Sequence, residues 1–156
     1  MTEAEALAAL RGPDPARAAQ AESALWAMWC RSDRPDLDAR LTESIAAMER
    51  RDFARSEELL TALIEVAPGW AEAWNKRATV RYLAGNYSGS IADCRETLAR
   101  TPHHFGALAG QGLCHMALEQ YGPAAVMFRR ALEVHPHLRA VRQNLRSALS
   151  EVVRDN

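Results

Sequence analysis

The sequence predicts an all-α fold built from one helical hairpin used several times over. Three X-Pro pairs, Ala67-Pro68, Thr101-Pro102 and His135-Pro136, follow one another at intervals of 34 residues. Aligned on them, residues 37–70, 71–104 and 105–138 share an aromatic residue after a mid-unit turn: Phe53, Tyr87 and Tyr121. They also share small residues where two helices of a hairpin would cross, Ser44/Ser56, Ala78/Ser90 and Gly112/Ala124, and an aliphatic column of Ile64, Leu98 and Leu132. A fixed period of this length marks a stack of supersecondary units, because one hairpin cannot bury both of its faces alone.

Each element has a local reason. Thr2 and Glu5 have capping-box spacing ahead of "AEALAAL", and Gly12-Pro13 stops that first helix. Asp14 caps a second helix with Pro15 in its first turn, running through "ARAAQAESALWAMWC" and carrying Trp26 and Trp29. Residues 1–36 are thus expected to form a helical hairpin outside the repeat, docked on the first unit. In each of the three units a helix pair follows, and Pro68, Pro102 and Pro136 end the second helix. Residues 139–156 supply a capping helix and tail. Val141, Leu145, Ala148, Leu149 and Val152 share one face of that helix, and Arg139, Arg142 and Arg146 another. The reading is one domain over residues 1–156, with about nine helices and no strands.

The stretches "AEAWNKRATVRYLAGNYSGSIADCRETLARTP" and "ALAGQGLCHMALEQYGPAAVMFRRALEVHP" resemble the tetratricopeptide repeat (TPR). The first unit matches less well, with Arg40 where Trp or Leu is expected. This resemblance implies a TPR helical-hairpin superhelix of three repeats with an N-terminal helical hairpin and a C-terminal capping helix. It also implies that the fifth, ninth and twelfth residues of each unit face a concave groove. Those are Leu41, Ile45 and Met48, then Asn75, Thr79 and Tyr82, then Ala109, Leu113 and Met116. TPR domains that clamp a chaperone's C-terminal carboxylate use Lys and Asn here. Asn75 and the neighbouring Lys76 match, whereas Leu41, Ile45, Ala109 and Leu113 depart from that pattern. "AWNKRAT" with "HHFGALAGQG" is further similar to small bacterial TPR proteins, which implies a bacterial, cytoplasmic protein.

Composition narrows the chemistry. Apolar residues make up 48% and charged residues 25%, a globular profile. The net charge of −1 hides a polarity. Residues 1–72 carry 14 acidic and 8 basic groups, and residues 73–156 carry 6 and 11, so the halves stand at −6 and +5. Cys30, Cys94 and Cys114 lie far apart, without the spacing of a zinc or redox motif, and fit a reducing compartment. The start, "MTEAEALAAL", lacks a basic n-region, and no apolar run reaches the ~18 residues of a membrane span. Neither a membrane nor nucleic acid is expected as a partner. His103, His104, His135 and His137 are read as polar loop residues, since no ligand spacing or carboxylate cluster accompanies them. His115 is read as a packed, hydrogen-bonded side chain. There is no phosphate loop and no nucleophile with a base, so no enzyme, metal or cofactor is expected.

Two arginines remain. Arg77 and Arg81 border the apolar stripe Trp74, Ala78 and Tyr82 on a helix that must be buried. A buried guanidinium requires a partner. The expectation is a polar ladder in which Glu43 or Asp93 holds Arg77, and a carboxylate or carbonyls hold Arg81. The alternative is that both reach a ligand carboxylate. The functional expectation is a non-enzymatic adaptor. It would bind a peptide or helix of another protein through Leu41, Ile45, Met48, Asn75, Lys76, Thr79, Tyr82, Leu113 and Met116. The competing occupant of that face is the chain's own N-terminal helix. Homo-oligomerisation driven by the charged halves or by the Trp-bearing N-terminal hairpin is the alternative function, and a metal-binding or enzyme-accessory role rests only on the histidines.

Overall fold

The computed structural model describes residues 1–155, and among them nine α-helices and no strands. These are α1 (Glu3–Leu10), α2 (Pro15–Trp29), α3 (Pro35–Glu49), α4 (Phe53–Val66), α5 (Ala71–Leu83), α6 (Tyr87–Arg100), α7 (Phe105–Ala117), α8 (Tyr121–Val134) and α9 (Arg139–Asp155). The sequence reading takes 1–156 as one domain; the backbone groups into two compact units, residues 30–102 and residues 1–29 with 103–156.

The period is written into the backbone. The only non-glycine residues with positive φ among those described are Arg51 (64°) and Glu119 (57°), and Gly85 (85°) lies midway between them in the chain. At each, the left-handed residue ends the first helix of a hairpin. The next amide, of Asp52, Asn86 or Gln120, reaches back to the carbonyl of Ala47, Arg81 or His115. Asp52 Oδ1 then accepts from the amide of Arg55, and Asn86 Oδ1 from that of Gly89, starting the second helix. Second helices end at Ala67, Thr101 and His135, whose ψ values of 63°, 84° and 86° lie outside the helical region, as the following proline requires.

Residues 30–102 contain the first two repeats. Ser56 Oγ donates to the carbonyl of Ser44 at 2.8 Å, and Ser90 Oγ to that of Ala78 at 2.7 Å. A hydroxyl thus bridges each helix crossing, which only small residues can approach so closely. Leu37, Leu41, Leu60, Leu63, Ile64, Ala73 and Val80 form the core, each fully buried leucine contributing roughly 2 kcal/mol.

The second unit holds the third repeat, α9 and the N-terminal hairpin. At its helix crossing Gly112 lies under Phe128: a Cβ there would stand 2.4 Å from Cε1. Thr2 and Glu5 form the expected capping box, and Asp14 Oδ1 accepts from the amide of Ala16. The hairpin buries Ala6, Leu10, Ala21, Leu25 and Trp29 against Phe105, with Val134 and Leu138 alongside. The hairpin, expected on the first repeat, thus packs within its own unit against the third. Two histidines of the α8–α9 loop fasten it. His135 Nε2 lies 2.9 Å from Glu22 Oε2, and His137 Nε2 lies 2.7 Å from the Gly12 carbonyl. His104 Nδ1 accepts from the amide of Ala107, capping α7, and its ring stacks on Trp29 at 4.2 Å. His104 and His135 are thus buried, at 0% and 2% exposure, and not the polar loop residues expected. Trp26 and Trp29 enclose His104, and Phe105 meets His135 edge-on at 5.1 Å. α9 buries Val141 and Ala148, while Leu145, Leu149 and Val152 are half-buried.

Candidate functional site

The arginine ladder comes first, because it decides what the middle repeat offers a ligand. Asp93 of α6, 3% exposed, accepts from Arg77 Nε at 2.9 Å and Nη2 at 2.8 Å, a two-pronged pair. Arg77 Nη1 donates to Thr61 Oγ1 of α4 at 3.2 Å. Arg81 Nε donates to Glu57 of α4 at 2.8 Å and its Nη1 to Asp93 at 3.1 Å. Two arginines of α5 therefore stitch α4 to α6. Of the two partners expected for Arg77, Asp93 is the one used; Glu43 lies 3.7 Å from the exposed Arg55. Hydrogen bonds donated to the Asp93 carboxylate hold the Arg77 guanidinium charged, above its ordinary pKa, against the opposing effect of burial. These arginines are structural members, engaged from both sides.

In repeat three the same columns hold Gln111 and His115. His115 Nδ1 lies 2.7 Å from Gln120 Oε1, and His115 Nε2 lies 3.4 Å from Gln111 Nε2, so His115 is packed and bonded as expected.

The residues expected to face a ligand divide by column. In the fifth-position column Leu41 is buried at 2% exposure, within the core of its unit, and Asn75 is buried at 5%. Their expected openness is corrected by this burial. Asn75 Nδ2 donates to Glu72 Oε1 at 2.9 Å, and Lys76 Nζ lies 3.3 Å from the same oxygen. Glu72 is itself 1% exposed. The Asn and Lys that echo a carboxylate clamp are therefore committed to an internal carboxylate. Ala109 is half-buried.

The ninth and twelfth positions differ. Thr79 is exposed, and Ile45, Met48, Tyr82, Leu113 and Met116 are all half-buried. In residues 30–102 this leaves Ile45, Met48, Thr79 and Tyr82 at the surface, with Tyr82 tilted on Tyr87 at 5.6 Å between centroids. In the other unit it leaves Leu113 and Met116, both outside the cluster that seats the N-terminal hairpin. Met116 lines an open pocket of about 500 Å³ with Tyr121, Arg146, Ser147, Ser150 and Glu151.

Two parts of this surface escape a reading of the sequence. Glu72 precedes Asn75 and Lys76 by three and four residues, a spacing that brings them together on a helix. Continuing the period into α9 places Ser147 and Ser150 at the ninth and twelfth positions of a fourth rung. Both signals were present in the spacing.

No group of three or more His, Cys, Asp or Glu residues able to hold a metal exists among the described residues. Cys94 and Cys114 are buried thiols. Burial, followed by Glu72, pushes the Cys30 thiol above its ordinary pKa, with Lys76 opposing. No described helix is long and apolar enough to cross a membrane.

No family model matches the chain. It is 28% identical over 137 residues to a TPR repeat-containing protein of Rhizobium etli, an alignment covering 86% of this chain and 66% of that one. The chain thus spans just under two thirds of that relative. Among solved structures it is similar to the Sgt2 TPR domain of Aspergillus fumigatus, with a TM-score of 0.75 at 20% identity, over 79% of this chain and 83% of that one. It is also similar to the first TPR of Spaghetti (RPAP3) bound to the HSP90 peptide SRMEEVD. There the TM-score is 0.73 at 15% identity, over 75% of this chain and 93% of that one.

Proposed function

We propose that this chain, whose fold is that of tetratricopeptide-repeat domains, is a non-enzymatic adaptor binding a peptide or helix of another protein. One observation carries the reading. While the fifth-position residues Leu41 and Asn75 are buried, the ninth and twelfth positions of all three repeats stay open to solvent. Apart from Thr79 those columns are apolar, and they hold Met48 and Met116, unbranched side chains that re-pack around different shapes. The chaperone-peptide complex of the RPAP3 neighbour supports a peptide as ligand class. The commitment of Asn75 and Lys76 to Glu72 argues against the same mode of capture in this repeat. A bacterial setting is part of the proposal, supported by the Rhizobium relative, and a cytoplasmic one is proposed with it.

The test is selection of a phage-displayed linear peptide library on the full chain. Peptides rich in Leu, Ile, Met or Phe should be enriched, and Tyr82→Ala should weaken them about 30-fold, the ~2 kcal/mol of a central anchor. Val126→Ala, an exposed change on α8, should leave them unaffected. Enriched peptides indifferent to Tyr82→Ala would defeat the proposal. Sedimentation at low and high salt separates self-association, the alternative, by a concentration-dependent mass.

A further inference from the structure

Outside the concave columns, one side of α9 is left open. In each repeat the eighth residue lies where the second helix crosses. The carbonyls of Ser44 and Ala78 accept hydroxyls of that helix, and Gly112 lies under Phe128. All three residues are buried. Counted the same way, the eighth residue of α9 is Arg146, which is exposed, and no second helix covers it among the described residues. The apolar stripe of α9 is therefore covered in part. Val141 and Ala148 are buried, whereas Leu145 and Leu149 are half-buried and Val153 is 74% exposed. Arg139, Arg142, Arg146 and Val153 all fall within about a quarter turn of Leu149 around the helix. The two acids of α9, Glu151 and Asp155, fall about a third of a turn or more away. Arg154 is matched by Glu151 at 3.1 Å. Arg139, Arg142 and Arg146 form no ion pair with the other described residues; Arg142 donates to the Pro136 carbonyl, which leaves its charge unbalanced.

We infer that this side of α9 is a second docking surface, separate from the concave columns, and that its occupant is an amphipathic helix of another protein, apolar along one stripe and acidic beside it. The helix lies where a second helix crosses in the repeats. Arginine in the eighth column holds it further out than a serine, alanine or glycine does, so contact runs through Leu145, Leu149 and Val153 rather than backbone to backbone. The arginine row then faces the acidic flank, which sets the choice of partner more than the strength of binding. A second copy of the chain does not complement this side, because a two-fold contact opposes one patch to itself and sets arginines against arginines. Nucleic acid would match the guanidiniums but leave Leu145, Leu149 and Val153 in water.

The probe is a displayed library of leucine-striped helices, about 18 residues long, with the positions beside the stripe randomised. It is selected in parallel on the full wild-type chain and on Arg142→Glu/Arg146→Glu, whose helicity is checked by circular dichroism. The wild type should enrich Asp or Glu beside the stripe, and the double variant Lys or Arg. A synthetic helix from the wild-type selection, followed by fluorescence anisotropy, should bind the double variant and Leu149→Ala each about tenfold more weakly, and Tyr82→Ala unchanged. Both arginines are exposed, so the double variant decides the matter even where Leu149→Ala loosens the fold. Any loss at Tyr82→Ala, or none at the double variant, would place the helix elsewhere and overturn this surface, leaving the concave columns to their own test. The same flanks from both selections, or no enriched helix, would also overturn it. So would a short DNA duplex that binds more tightly than the helix and is indifferent to Leu149→Ala. A dimer in sedimentation that Arg142→Glu/Arg146→Glu abolishes would assign the surface to a second copy and overturn it likewise.

Discussion

Replacing Asp93 by asparagine keeps the shape of the side chain and removes its charge. In the native protein this carboxylate, 3% exposed, accepts three hydrogen bonds from two arginines at 2.8, 2.9 and 3.1 Å. Arg77, 12% exposed, would keep its 3.2 Å bond to Thr61, while the amide nitrogen introduced by Asp93→Asn would face guanidinium donors. Arg81, 20% exposed, would retain Glu57. Removing one partner of a buried ion pair costs about 3–5 kcal/mol. Since Arg81 keeps a partner and Arg77 reaches some solvent, the lower end applies, about 3 kcal/mol. In a chain of this size that is a fall in melting temperature of roughly 6–12 °C. The assay is a thermal melt by circular dichroism at 222 nm. Arg77→Leu should cost less than Arg77→Ala, because leucine refills the volume while both leave Asp93 with Arg81 alone. An Asp93→Asn melt within 2 °C of the wild type would refute the claim that this ladder holds α4, α5 and α6 together.

Other expectations follow from single contacts. Gly112→Ala places a methyl 2.4 Å from Phe128 and should cost about 1–3 kcal/mol, read as a urea-midpoint shift. Gly106→Val sets a branched side chain where even a Cβ would meet Trp26 at 2.6 Å; limited proteolysis should then cut within residues 1–29 before any other site. Ser90→Ala removes the 2.7 Å bond to the Ala78 carbonyl and should cost about 1 kcal/mol by the same melt. Cys30 should alkylate with iodoacetamide more slowly at neutral pH than a free thiol. Its rate should climb only at more alkaline pH, because burial raises its pKa and thins the thiolate.

Most of the fold was legible because each repeat states its own geometry. Pro68, Pro102 and Pro136 end helices in the sequence and in the structure, and the small pairs mark the helix crossings. The ladder was legible from a physical requirement, that Arg77 inside a repeat needs a carboxylate, although the sequence left Glu43 and Asp93 open. Burial at Leu41 was not legible, since a periodic pattern tells which face a residue shares and not what lies over that face. The same gap hid His104 and His135, whose polar side chains look like loop residues until Trp29 and Glu22 are brought across more than 70 positions of chain.

The open columns make the central claim, and methyl resonances read them without altering the chain. With ¹³C-methyl methionine, titration of a selected peptide should shift the signal of Met48, which lies half-buried in the twelfth-position column. Met127 of α8, buried at 6% exposure, should not move, nor should the exposed Met1. A peptide that binds while the Met48 methyl stays in place would contradict the account.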